Sequence, residues 1–168
     1  MSKLRAFIKD RLNDPWEGTE YQGYVYLTPK QKGEYGELFV ETLMTEMLCD
    51  VQPAEKSTSG YDRCIDGIKT EIKFSLAGRK NNQIVDNQFI INHVSVGKDW
   101  ERLIFCGVNK EHLVALYFTK DAFKQELSRS DSVFHHQQGG KNVANDDYMC
   151  TDVTTFMKRP YVKQITEW

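Results

Sequence analysis

The stretch Gly60-Tyr61-Asp62-Arg63-Cys64-Ile65-Asp66-Gly67-Ile68-Lys69-Thr70-Glu71-Ile72-Lys73-Phe74-Ser75 decides how the chain is read. Asp-Gly is a strong signal for a two-residue hairpin loop, because the type I′ turn needs φ > 0 at both central residues and these two tolerate it. With Asp66-Gly67 as the loop, the spacing pairs Ile65 with Ile68, Cys64 with Lys69, Arg63 with Thr70, and Asp62 with Glu71. Side chains alternate along a strand, so Lys69, Glu71 and Lys73 share one face while Ile68, Ile72 and Phe74 share the other. The apolar face is expected to pack and the charged face to line a cleft. A longer loop or a bulge would shift the register by one residue and turn Asp62 away from Glu71.

Two carboxylates facing each other about 5 Å apart at Cβ repel unless positive charge lies between them. Mg²⁺, which is held by one or two carboxylates plus phosphate oxygens, supplies that charge. A lysine two residues along can orient the attacking water and hold the phosphate. Asp62, Glu71 and Lys73 therefore have the equipment for metal-assisted phosphodiester hydrolysis. The plain alternative for Glu71-Ile72-Lys73 is an exposed strand of alternating charge. Asp66 is a further carboxylate, read as the turn residue in preference to a ligand.

Gly60-Tyr61-Asp62 followed by Glu71-Ile72-Lys73 resembles the D…E-x-K signature of the PD-(D/E)XK nuclease superfamily, which includes type II restriction endonucleases and junction resolvases. Tyr61 stands where the superfamily's name has proline. The resemblance implies an α/β (α+β) fold, a restriction-endonuclease-like mixed central β-sheet flanked by helices. It implies metal ligation by Asp62 and Glu71, with Lys73 assisting the nucleophilic water. It also implies a glutamate on the helix before the hairpin, where Lys32-Gly33-Glu34-Tyr35-Gly36-Glu37 offers two. Glu37 is preferred as that catalytic, metal-ligating residue because it lies one turn before Val40 and can reach inward; Glu34 and Glu41 read as solvated. The likeness in fold spans roughly Gly33 to Leu127.

Working outward, Thr28-Pro29 supplies an N-cap and a proline at the first helical position, and predicts the longest helix from there to about Cys49. Its apolar stripe is Val40, Leu43, Met44, Met47 and Leu48, widened by Leu38 and Phe39. Leu4, Phe7, Ile8 and Leu12 predict a short amphipathic helix within 2–13. Downstream, Leu103 to Val108 and Leu113 to Phe118 are continuous apolar runs and read as adjacent central strands. Phe89 to Val96 is apolar but of undecided type. Thr119 caps a helix from Lys120 to about Ser128, and Asp152 to Lys158 predicts a helical turn ended by Pro160.

With 168 residues, 40% of them hydrophobic and 27% charged, the chain is read as one globular nuclease domain over 1–168. No run is long enough for a membrane span and the start lacks a signal-peptide apolar core, so no membrane and a cytoplasmic location are expected. The four cysteines are far apart and form no C-x-x-C pair, which reads as free, mostly buried thiols. A formal net charge of -2 argues against a protein that merely coats nucleic acid. It is compatible with an enzyme that gathers carboxylates around cations.

Candidate DNA contacts are expected in 129–147, a polar, Gly-rich loop. Its Phe134-His135-His136-Gln137-Gln138-Gly139-Gly140-Lys141-Asn142 concentrates side chains that meet base edges and phosphates. His135, His136, Gln137, Gln138, Lys141 and Asn142 are the candidates there, joined by Arg79 and Lys80 after the catalytic strand, with Lys69 and Lys98 as further basic residues. The bland alternative is a polar surface loop and ordinary surface charge. His93 reads as a core or interface residue. The expectation is a sequence-specific type II restriction enzyme with one or two Mg²⁺ per site, cutting double-stranded DNA as a homodimer. A junction-resolvase-like repair or phage nuclease is the alternative within the same chemistry, and a non-catalytic binding module is the alternative outside it.

Overall fold

The computed structural model describes residues 5, 12–56, 58–80, 83–85, 87–137 and 146–168. The helix expected over 2–13 thus lies outside the described residues apart from Arg5, Leu12 and Asn13. A 3-10 turn, Tyr24–Tyr26, leads into α1 (Pro29–Glu46). The Thr28 hydroxyl accepts from the Gln31 amide while the Gln31 side chain accepts from the Thr28 amide, a reciprocal cap in which Pro29 costs no hydrogen bond. Helix α1 stops short of the expected end, because Leu48 adopts φ 65° and stands 93% exposed. Only Val40 and Met44 of the expected stripe are fully buried; Leu38 and Met47 are exposed.

The strands are β1 (Val51–Pro53), β2 (Arg63–Ile65), β3 (Ile68–Leu76), β4 (Arg79–Lys80), β5 (Gln83–Ile84), β6 (Ile91–Val94), β7 (Arg102–Val108), β8 (Leu113–Thr119), β9 (Phe134–His136), β10 (Tyr148–Cys150) and β11 (Lys163–Gln164). Helices α2 (Lys120–Leu127) and α3 (Val153–Phe156) complete the set. The main sheet runs β1-β2-β3-β7-β8-β11. It is mixed: β3 and β7 are parallel and its other pairs antiparallel. A second sheet, β6-β10-β9, and the β4-β5 pair are hydrogen-bonded separately from it.

Strand β7 is buried along its whole length, and β8 along most of its own, which is why both read as unbroken apolar runs. On one face of the sheet Val40 and Met44 of α1 pack on Ile65, Ile72, Ile104, Cys106 and Ala115. On the other, Leu103, Phe105, Leu116 and Phe118 meet Phe123 of α2, Phe134 of β9 and Phe156 of α3. The architecture is therefore a central mixed sheet flanked by helices, as the sequence implied. Phe89 to Val96 resolves into β6, and part of the polar excursion 129–147 is strand, since β9 pairs with β10. All four cysteines are free thiols, with Cys106 and Cys150 buried.

Helix α1 lies close against β3 because residue 36 is glycine: a Cβ there would fall 2.5 Å from Phe74 Cβ. That contact fixes the distance between the helix carrying Glu37 and the strand carrying Glu71 and Lys73.

Candidate active site

Asp66 at φ 51° and Gly67 at φ 79° make the turn the sequence calls for. The strands pair Ile65 with Ile68, Cys64 with Lys69 and Arg63 with Thr70. The ladder ends there. One residue further, the Asp62 amide donates to the Thr70 carbonyl at 3.0 Å, and the Ile72 amide donates to Asp62 Oδ2 at 2.7 Å. The carboxylate thus takes the place of a strand partner, and the bond holds it beside Glu71. Asp66 is occupied at the turn: its oxygens accept from the Asp50 amide at 2.8 Å and the Trp168 indole at 3.1 Å.

Glu71 is 1% exposed. A lone buried carboxylate is costly to desolvate, and two ammonium groups offset that cost here. Lys73 Nζ lies 2.7 Å and Lys98 Nζ 2.9 Å from the same Oε1. Asp62 lacks such compensation. Burial first, and then the charge of Glu71, push its carboxyl up to about 6, against the opposing pull of the Ile72 amide and Lys73. Glu37 adds a smaller push in the same direction.

Glu37 itself faces Arg63, whose Nη1 lies 2.8 Å from Glu37 Oε2 and whose Nε lies 2.9 Å from Glu41 Oε2. The same Nη1 donates to the Asp62 carbonyl at 2.8 Å. Arg63 therefore fastens the backbone at Asp62 to α1. The glutamate expected to reach inward as a ligand is instead half-buried in an ion pair, and Glu41, expected to be solvated, shares it. Among the described residues no three His, Cys, Asp or Glu side chains gather into a group that could hold a metal ion. The described carboxylates at the site's centre are Asp62 and Glu71, with Glu37 held to one side by Arg63.

No protein-family model matches the chain, nor does any curated protein. Among solved structures it is similar to a bacterial homing endonuclease, I-Ssp6803I, with 14% sequence identity and a TM-score of 0.44 over 59% of this chain and 74% of that one.

Of the residues singled out in 129–147, His135, His136 and Gln137 are described. His135 and His136 lie on β9, where His136 stacks on Tyr148 with ring centroids 4.6 Å apart. Gln137 accepts from the His93 amide at 3.0 Å, and His93 Nδ1 lies 3.2 Å from Asp147 Oδ2. His93 is exposed at φ 54°, which sets aside the core half of the core-or-interface expectation. Gln138, Lys141 and Asn142 lie outside the described residues. Arg79 and Lys80 form β4, paired with β5. Lys69 is paired with Asp99 at 2.7 Å.

Two residues of the site escaped sequence reasoning. Lys98 sat among generic basic residues, and nothing local marks it as a partner of a glutamate 27 positions away. Arg63 did carry a signal: it begins β2 next to Asp62, and the helix before it bears Glu37 and Glu41 one turn apart.

Proposed function

We propose that this protein is a nuclease that hydrolyses phosphodiester bonds with a divalent cation, using Asp62, Glu71 and Lys73. The observation that carries the reading is the pairing of a fully buried Glu71, bridged by two lysines, with an Asp62 whose proton is held to about 6 by burial and by Glu71. A carboxyl raised by burial and by a charged neighbour at a partly open site is characteristic of functional centres. The donor set fits a hard cation such as Mg²⁺: two carboxylates and no sulfur or imidazole, with remaining positions left to water and phosphate oxygens. When bound there, the cation would stabilise charge on the phosphate and lower the pKa of a coordinated water.

The chain's own groups do the rest. Asp62 is held in place through Oδ2 by the Ile72 amide, and Arg63 fixes its backbone. Glu71 is walled from solvent, so its charge acts in a low-dielectric setting where attraction for a cation is strong. The Lys73 ammonium, 16% exposed, is placed to orient the attacking water and to hold a phosphate oxygen. Lys98, more exposed at 44%, can turn from Glu71 to an incoming phosphate. With Asp62 and Glu71 ionised and both lysines charged, the four groups sum to zero, and a divalent cation turns the site positive towards a polyanion.

Sequence-specific restriction of duplex DNA by a homodimeric PD-(D/E)XK enzyme is one finer form of this proposal, and it requires a face that takes a duplex. The test is digestion of plasmid and phage DNA with Mg²⁺, beside Glu71→Ala and Lys73→Ala. Cleavage by the wild type and loss of roughly 10²-fold or more in Lys73→Ala are expected. Intact DNA in every lane, with the same substrates heat-denatured to single strands run alongside, refutes the nuclease reading. Discrete bands favour restriction, whereas junction-selective cutting favours a resolvase-like enzyme.

A further inference from the structure

Two cavities, each of about 380 Å³, adjoin the candidate site. The first is lined by Lys32 and Gly33 of α1, Lys73 and Phe74 of β3, and Asn92 and His93 of β6. The second follows the same strand outward, from Phe74 to Gly78, between Trp16 and Ile90. Tyr24, Lys32, Phe74 and Asn92 line both, so the two are lengths of one trench. From Lys73 to Gly78 it follows roughly 16 Å of extended chain at ~3.3 Å per residue. That length accommodates roughly four stacked nucleotides at ~3.4 Å each.

Its chemistry is one-sided. The chain holds 24 Asp and Glu against 22 Lys and Arg, yet not one residue lining either cavity is acidic, while Lys32 and Lys73 both face in. Among the described residues, β2 pairs with β3 only up to Thr70, so the edge of β3 beside Lys73 carries no strand partner. Tyr24 adds an aromatic surface at the middle, with Lys32 Nζ 5.5 Å from its ring centre. Lysines and aromatic rings along one narrow path are the equipment for tracking a single nucleic-acid strand. A duplex, with two backbones set across grooves about 6 and 12 Å wide, needs a broader concave face.

We infer that the trench along β3 receives one unpaired nucleic-acid strand adjoining the scissile phosphate, so that the enzyme acts on single strands or on strands separated from their complement. This rests on the nuclease reading of the site, and not on duplex DNA as its substrate. Lys32 holds a backbone phosphate where the two cavities join, and Asn92 lines the path there from β6. His93, tied to Gln137, sets the rim at the Lys73 end.

The test is fluorescence anisotropy with the full chain in EDTA, where no cleavage occurs. The probes are end-labelled strands of about 12 nucleotides, one of thymidine and one of uridine, and a blunt duplex of equal length. Both strands should bind at least roughly fivefold tighter than the duplex, and the tighter of the two identifies DNA or RNA as the source. Lys32→Glu should weaken strand binding roughly fivefold or more and flatten its salt dependence by about 0.7 in log–log slope, one phosphate contact. Because an acidic residue in the first turn suits the helix dipole, this variant should keep its thermal stability. A duplex bound as tightly as the strands, or Lys32→Glu binding as the wild type does, overturns the inference. Failure of hydrolysis would be read separately, since Glu71→Ala should abolish cleavage yet retain strand binding.

Discussion

Asp62→Asn should stabilise the folded protein near neutral pH and abolish cleavage. The Asp62 carboxyl is raised from 3.8 to about 6, chiefly by burial and then by Glu71. About two units correspond to ~3 kcal/mol, a ceiling that solvent around a half-buried group reduces. The sign follows from a folded-state pKa above the unfolded one. Below pH ~3.8 the carboxyl is neutral in both states and costs nothing. Between ~4 and ~6 the unfolded chain has lost the proton while the folded one keeps it, and above ~6 both are ionised and the destabilisation is complete. Asparagine removes the charge but keeps a carbonyl oxygen for the Ile72 amide. The variant's advantage in urea unfolding without divalent cations should therefore be near zero at pH 4, grow to pH 6 and stay level at ~2–3 kcal/mol to pH 8, or up to roughly 6–12 °C in Tm. Adding Mg²⁺ at about a hundred times its Kd should return ~2.7 kcal/mol to the wild type and much less to the variant. A difference that does not change with pH, or a variant less stable than the wild type at pH 8, refutes the reasoning.

Gly36→Ala places a Cβ against Phe74 Cβ at 2.5 Å. Pushing α1 off β3 should cost ~1–3 kcal/mol by denaturant melt despite alanine's better helix propensity. Glu126, fully buried, accepts from Arg159 Nε at 3.1 Å, the Val133 amide at 2.9 Å and the Tyr161 hydroxyl. Glu126→Ala strips partners from a half-buried cation and an amide at once, so a loss of ~2–3 kcal/mol is expected, and a loss below ~1 kcal/mol would mean that Asp131 and solvent take over Arg159.

How far the site could be read from the chain depended on separation in sequence. Asp62 and Glu71 were placed together because Asp66-Gly67 leaves little choice of turn, and the observed ladder keeps the expected register as far as Arg63 and Thr70. Beyond it the Asp62 side chain replaces a backbone partner, a departure no periodicity encodes. Glu37 lies on α1, and its engagement with Arg63 follows from how tightly the helix packs on the sheet. The glycine at 36 that allows this packing is visible in the sequence, while its partner Phe74 is not.

Local chemistry, then, is what the sequence by itself determined: the type I′ turn, the Thr28-Pro29 cap, the buried strands β7 and β8, and the alternation that sets Glu71 and Lys73 on one face. These depend on backbone sterics and on periods of two or 3.6 residues, which act between near neighbours. The tertiary structure alone decided that Lys98 shares Glu71 with Lys73, that β6 pairs with β10 more than fifty residues on, and that α1 and β6 wall a trench beside β3. Such contacts are chosen by the packing of whole faces after long loops close, and the loop entropy they overcome leaves no mark on the residues in between.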